Sequence, residues 1–114
     1  MEKRNEILEL SFEFALEIIT YTELLEEKRK FVIANQLLKS GTSIGANVRE
    51  AQNCESNADF THKLKIAAKE ADETEYWLLL CEKSPNYPFN SELKIKILSI
   101  KKLLSSIISK MKSK

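Results

Sequence analysis

The residues best suited to catalysis are a lone histidine, His62, and two cysteines, Cys54 and Cys81. Because the sequence has no second histidine, a nucleophilic pair of the Ser-His or Cys-His kind would have to use His62. Nothing in the sequence around either cysteine marks it as a partner, and their separation fits no metal or redox motif. We therefore interpret His62 as a surface or capping residue and the cysteines as reduced thiols of a cytoplasmic protein.

Carboxylates are the next candidates, and they concentrate in the middle of the chain. Asp59 lies three residues before His62, the carboxylate-x-x-His spacing that di-iron bundles use twice, but one histidine cannot complete such a set. A nearby acidic cluster comprises Glu70, Asp72, Glu73 and Glu75. It alternates with lysines as on a solvated helix face, where Lys69 can pair with Glu73 and Asp59 with Lys63. The sequence thus predicts no metal site, no cofactor and no enzyme activity.

The remaining candidate functional residues are lysines, which could pair with carboxylates or contact phosphate. Residues 90–114 contain seven lysines against Glu92, a net charge of +6, and residues 1–27 contain eight glutamates against Lys3 and Arg4, a net charge of −6. The simplest interpretation is that these complementary segments lie side by side or meet across a subunit interface. The alternative is contact with nucleic-acid phosphate. The residues assigned to that contact are Lys94, Lys96, Lys101 and Lys102.

The composition favours helices packed as a single domain. Only two glycines and two prolines occur among 114 residues, too few for the turns of a β-rich domain. Hydrophobic residues make up 43% and charged residues 31%, which suits a folded core with a hydrated surface. No apolar run approaches the ~20 residues that span a bilayer, and the charged residues 1–6 do not have the pattern of a signal peptide. We expect one all-α domain over residues 1–114.

Apolar residues spaced by three and four predict the first two helices over about residues 3–27 and 31–53. The second helix contains Gly41 and Gly45, yet its apolar stripe keeps its phase through both. Each glycine costs a helix about 1 kcal/mol relative to alanine. The expected reason for keeping them is the close approach of a neighbouring helix.

A third helix is expected after a cap at Ser56 or Asn57 and ends at about Lys83. Its stripe contains two small residues, Ala67 and Ala71, which permit tight packing. The end of this helix is apolar on several sides, more than a lone bundle can bury. The surplus residues are Tyr76, Trp77, Leu79 and Leu80. Such a patch indicates an oligomer or partner interface.

A fourth helix is expected after the proline-containing loop 84–88 and a cap at Asn90 or Ser91. Its apolar residues repeat like a coiled-coil seam. They are Leu93, Ile97, Ile100, Leu104, Ile107 and Met111. Because the connections between helices are short, the fold class we predict is an antiparallel, up-down-up-down four-helix bundle.

Two segments resemble a known family. Residues 36–51 (QLLKSGTSIGANVREA) and 59–78 (DFTHKLKIAAKEADETEYWL) are similar to the two signatures of bacterial four-helix-bundle proteins encoded in intervening sequences of 23S ribosomal RNA genes. The resemblance implies a four-helix bundle without catalytic activity, often assembled as a ring-like homopentamer. It also implies kinship with retroelement accessory variability proteins, which form basic pentamers that bind nucleic acid and a reverse transcriptase.

Two hypotheses of function follow. The first is an oligomeric, non-enzymatic protein that associates with structured RNA, such as ribosomal RNA, through the lysines of the fourth helix. The second is a protein-interaction scaffold, or an accessory subunit that recruits a nucleic-acid enzyme such as a reverse transcriptase, through the apolar patch that includes Trp77. In both, the residues Gly41, Gly45, Ala67 and Ala71 determine helix packing and do not form a binding site.

Overall fold

The computed structural model describes residues 5–113. Four helices make up the fold: α1 (Glu6–Glu27), α2 (Phe31–Ala51), α3 (Asn57–Lys83) and α4 (Ser91–Lys112). Each helix packs against the next, and α4 packs back against α1, whereas within residues 5–113 the backbones of the diagonal pairs stay farther apart and only side chains meet across the core. Connections of three to seven residues make neighbours antiparallel. The predicted all-α, up-down-up-down four-helix bundle is confirmed.

Three of the described helices, α1, α3 and α4, begin directly after a residue whose side chain caps the first turn. The side-chain oxygen of Asn5 accepts the Leu8 amide at 3.1 Å, and the Ser56 hydroxyl accepts the Asp59 amide at 3.1 Å. Asn90 caps α4 in the same way. The caps predicted at Ser56 and Asn90 are thereby confirmed. The predicted start of the first helix near residue 3 lies outside the described residues, and α2 ends at Ala51, two residues before the predicted end.

The glycines of α2 lie where α1 comes closest. The helix runs without a break through Gly41 and Gly45. A Cβ atom at position 41 would lie 3.0 Å from both Cγ1 and Cγ2 of Ile18, and one at position 45 would lie 3.3 Å from the backbone oxygen of Ser11. Ordinary van der Waals contact needs more space than this, so the small residues permit the approach that the apolar stripe predicted.

The core is formed by one buried stripe from each helix. The predicted seam of α4 is fully buried from Leu93 to Leu104, whereas Ile107 and Met111 near its end are only partly buried. Ala67 and Ala71 of α3 are inaccessible to solvent, as expected for tight packing. One buried polar contact crosses α2 and α3, where the hydroxyl groups of Ser40 and Thr74 are 2.9 Å apart. Burial of a hydroxyl costs free energy unless it is paired, so this contact favours one register of the two helices.

The turn between α1 and α2 is a Schellman motif. The Lys30 amide donates to the carbonyl of Leu25 at 2.8 Å, and the Arg29 amide donates to that of Glu26 at 2.9 Å. Arg29 occupies the left-handed position with φ 62°, where glycine is normally favoured because a Cβ atom is strained there.

Replacing Arg29 should therefore stabilise the fold. We expect Arg29→Gly to raise the free energy of unfolding by up to about 1 kcal/mol in urea denaturation, because glycine relieves the strain at positive φ. A lower stability would contradict this. It would mean that the Arg29 guanidinium, 5.8 Å from the centre of the Phe31 ring, stabilises the turn more than the backbone strain destabilises it.

Candidate interaction surfaces

The candidate catalytic residues are not brought together. His62 is exposed on α3, Cys81 is buried, and no hydrogen bond joins His62 to either cysteine within the described chain. The Cys54 thiol instead donates to the carbonyl of Glu50 at 3.7 Å. Over residues 5–113, no three His, Cys, Asp or Glu side chains form a group that could hold a metal ion. The absence of enzyme activity and of a cofactor stays a prediction.

Cys81 and Tyr21 are buried between α1 and α3. Burial raises the pKa of Tyr21 well above its ordinary value, and the neighbouring Cys81 raises it further. Burial also raises the pKa of the Cys81 thiol. The Tyr21 hydroxyl donates to the carbonyl of Pro88 at 2.6 Å and so fixes the loop before α4. Both side chains are therefore neutral at pH 7, and both pack in the core.

Neutral burial of Cys81 makes stability sensitive to alkaline pH. The folded chain holds this proton more tightly than the unfolded chain, so the contribution is complete below about pH 8.5, the ordinary thiol pKa, and is lost as the pH rises through the raised pKa. We expect the free energy of unfolding in urea to fall as the pH rises above about 8.5. In the Cys81→Ala variant the part of this fall that begins near pH 8.5 should be absent. Cys54→Ala is the matched control. A wild-type profile that stays flat to about pH 10 would contradict the argument.

Three of the four lysines predicted to contact nucleic acid already have carboxylate partners. Lys94 pairs with Glu82 of α3 at 2.9 Å. Lys96 pairs with a glutamate of α1, Glu17, and this hydrogen bond raises the pKa of Lys96. Lys101 pairs with two acidic residues of α3, Glu75 and Asp72, which raise its pKa in the same way. Of these four lysines, only Lys102, exposed on the outer face of α4, forms no ion pair with a carboxylate of residues 5–113.

The ion pairs differ from those expected along the sequence. Lys63 pairs with Glu50 of α2 at 2.6 Å and not with Asp59. Glu73 accepts a hydrogen bond from Trp77 Nε1 at 3.1 Å, and the predicted pair with Lys69 does not form. The predicted pairings within α3 are therefore wrong. The prediction that the acidic first and basic last segments lie side by side is confirmed by the packing of α1 on α4 and by the contact between Glu17 and Lys96.

The apolar patch predicted at the end of α3 is only partly exposed. Tyr76 and Leu79 are exposed, whereas Trp77 and Leu80 are half-buried. The rings of Tyr76 and Trp77 meet edge to face, with centroids 5.4 Å apart. The part available to a partner is therefore Tyr76 and Leu79, and the assignment of all four residues to an interface stays a prediction.

A second apolar surface, not predicted from the sequence, lies on the outer side of α1 and α2. We call it the α1/α2 face. Its exposed members are Phe12, Leu16, Ile19 and Leu38. Phe12 and Leu16 are 55% and 51% exposed, large fractions for such side chains. A shallow groove of about 140 Å³ lies beside them, lined by Ala15 of α1 and by Gly45 and Ala46 of α2.

A signal for this face was present in the sequence. Phe12, Leu16 and Ile19 follow one another at spacings of four and three, so they form a second apolar stripe on the first helix. Leu38 of the second helix lies at the solvent edge of that helix's apolar stripe.

Membrane insertion is a conceivable use of exposed apolar residues. Within residues 5–113, however, none of the helices combines the length and the hydropathy that crossing a bilayer requires. The antiparallel packing of the four helices defines the class of the protein, an all-α four-helix-bundle protein.

Comparison with known proteins gives the family. Residues 3–107 match the family described as 23S rRNA-intervening sequence protein, and the chain belongs to that family. The resemblance noted in the sequence is thereby confirmed.

One solved structure is similar over nearly the whole chain. It is the crystal structure of a protein with unknown function from the S23 ribosomal protein family of Bacteroides thetaiotaomicron VPI-5482. The sequences are 47% identical, and the match has a TM-score of 0.81 and covers 90% of this chain and 97% of the other. No curated protein matches the chain. The kinship with retroelement accessory proteins stays a prediction.

Proposed function

We propose that the protein is a non-enzymatic, cytoplasmic four-helix-bundle protein that assembles into a homo-oligomer and in that form associates with structured RNA. The observation that carries the proposal is the exposed α1/α2 face. Phe12, Leu16 and Ile19 are exposed at helical spacing along one side of α1, on a chain of only 114 residues. Large exposed apolar patches mark sites of protein association.

A second copy of the chain is the occupant that fits this face. The groove is lined by small residues, which allow a helix of another copy to approach closely. Arg49 lines the groove, so a positive charge lies beside the apolar surface and would meet an acidic residue of the second copy. Opposite charges at an interface rim fix orientation more than they add affinity. The family resemblance favours a ring of five subunits.

RNA association is the second part of the proposal. It is supported by the family's link to the 23S ribosomal RNA gene and by the exposed, unpaired Lys102 on the outer face of α4. Lys94, Lys96 and Lys101 would have to exchange their carboxylates for phosphate, so each copy contributes a modest attraction. Repetition around an oligomer multiplies such contacts without any new interaction.

Solution mass, measured by sedimentation with and without ribonuclease, tests both parts. We expect a multiple of 13.1 kDa that survives ribonuclease and about 1 M salt, because apolar contacts are not screened. A single copy at every concentration would overturn the assembly. Mobility-shift assays with a ribosomal RNA fragment should show affinity that falls steeply with salt. No binding at low salt, or binding independent of salt, would overturn RNA association.

Recruitment of a protein partner is the second candidate function, and the exposure of Tyr76 and Leu79 favours it. Affinity purification from the native host with ribonuclease treatment separates it from RNA association. Partners that survive ribonuclease and are lost in a Tyr76→Ala, Leu79→Ala variant support recruitment. The same partners recovered with the variant would exclude this patch.

A further inference from the structure

One end of the bundle combines cations with aromatic rings. The α1–α2 turn and the α3–α4 loop lie at this end because neighbouring helices are antiparallel. We define the loop tip as Lys28, Arg29, Lys30, Phe31, Lys83 and Tyr87. The two segments touch, since Lys30 Nζ lies 4.8 Å from the centre of the Tyr87 ring.

The cations of the loop tip differ from those of α4 in their surroundings. Within residues 5–113, none of Lys28, Arg29, Lys30 and Lys83 forms an ion pair with a carboxylate. Nearby Glu82 is already neutralised by Lys94. Glu26 and Glu27 are exposed at the same end of the bundle, but neither forms an ion pair with these cations. Positive charge at the tip is therefore available to an external anion.

Aromatic side chains lie among these cations. Phe31 is 49% exposed, and the Arg29 guanidinium lies 5.8 Å from the centre of its ring. A cationic surface that presents an aromatic face is the combination that binds single-stranded nucleic acid, because the phosphates are neutralised while a base stacks on the ring. Arginine adds a planar fork that matches phosphate and also stacks on bases.

The backbone of the loop tip is held in place before any ligand arrives. The Schellman hydrogen bonds fix the α1–α2 turn, and the hydrogen bond from Tyr21 to Pro88 fixes the second loop. Arg29 keeps the left-handed conformation although glycine is the residue that suits it. An ordered site loses less entropy on binding than a mobile loop does.

From these observations we infer that the loop tip binds unpaired nucleotides of a structured RNA, in a loop or at an end, with Lys28, Arg29, Lys30 and Lys83 on the phosphates and one base stacked on Phe31. The inference rests on the RNA association proposed above. It moves the main contact from the flank of α4 to the end of the bundle, and it specifies single-stranded over duplex RNA, whose paired bases cannot stack on a side chain.

Fluorescence anisotropy with two RNA probes tests the inference on the full chain. The probes are a labelled stem with a uridine loop of about eight nucleotides and the same stem as a blunt duplex. We expect the wild type to prefer the stem-loop. The double variant Arg29→Gly, Lys30→Gln should bind the stem-loop at least about tenfold more weakly, with a salt slope smaller by about 1.4, since each single-strand phosphate contact contributes about 0.7.

Phe31→Ala separates stacking from charge. It should weaken stem-loop binding by roughly tenfold and leave the salt slope unchanged, because a stacked base releases no counterion. The matched controls are Lys65→Gln with Lys69→Gln, which removes two exposed cations of α3, and Tyr76→Ala, which removes an exposed ring. Both controls should bind like the wild type.

The outcomes separate this inference from the proposed function. If the wild type binds the ribosomal RNA fragment but neither probe, RNA association stands and this inference is wrong. If the wild type binds none of the three RNAs, both are wrong. If the wild type binds but the loop-tip variants bind equally well, RNA association stands and the loop tip is excluded. Equal affinity for the stem-loop and the duplex also overturns the inference. The single variant Arg29→Gly is measured as well. Because this replacement is expected to stabilise the fold, weaker binding by this variant would come from the lost guanidinium and not from unfolding.

Discussion

Gly41→Leu should lower the free energy of unfolding by at least about 3 kcal/mol, or prevent folding. A single added carbon at this position would already lie 3.0 Å from two carbons of Ile18. Ile18 is fully buried, so it cannot move aside without displacing its neighbours in the core. Extra methylene groups in a packed core typically cost about 1–3 kcal/mol, and a whole leucine side chain exceeds that range. Urea denaturation followed by far-UV circular dichroism measures the loss.

Two variants show whether crowding by Ile18 is the cause. Asn35→Leu places the same side chain on an exposed position of α2 and should change stability by less than about 0.5 kcal/mol. Ile18→Ala removes the crowding atoms, and in that background Gly41→Ala should become stabilising by about 1 kcal/mol, the helix preference of alanine over glycine. A mild effect of Gly41→Leu in the wild type would mean that α1 and α2 are not packed as closely as described.

Much of the fold could be predicted because local signals agreed with the global arrangement. The stripe of α2 kept its phase through Gly41 and Gly45, and that continuity required a close neighbour, which is α1. Ser56 and Asn90 marked two helix starts because their side chains satisfy amides that the first turn leaves unpaired. The seam of α4 from Leu93 to Leu104 fixed which side of that helix faces the core. Each of these features depends on a few adjacent residues.

The surface features could not be predicted because they depend on how the helices align. Lys63 is four residues from Asp59 in sequence, yet its ammonium group reaches Glu50 on another helix. Lys101 similarly lies between two carboxylates of α3, which no spacing within α4 indicates. Phe12 and Leu16 lie on a second apolar side of the first helix, and their spacing does not indicate whether another element covers that side. Only the packed bundle shows that this side remains uncovered.

The double variant Phe12→Glu, Leu16→Glu should dissociate the proposed oligomer. Truncating a central interface residue commonly costs about 2 kcal/mol or more, so losing two such residues should raise the dissociation constant at least about a thousandfold. The new carboxylates would also repel the acidic side chains of the first helix, such as Glu13. The fold should survive, because both side chains are already more than half exposed in a single copy and glutamate is a good helix former. Sedimentation should then report 13.1 kDa.

The chain provides a closely matched control on its opposite side. Ile95 and Leu98 on the outer face of α4 are 64% and 47% exposed, so Ile95→Glu, Leu98→Glu makes the same change in charge and a comparable change in apolar area. This control should keep the wild-type mass if the α1/α2 face holds the copies together. Dissociation in the control alone would move the interface to α4. Dissociation in both would place α4 in the interface as well, because a ring of subunits joins two different surfaces of each copy, so that the α1/α2 face of one copy would meet α4 of the next.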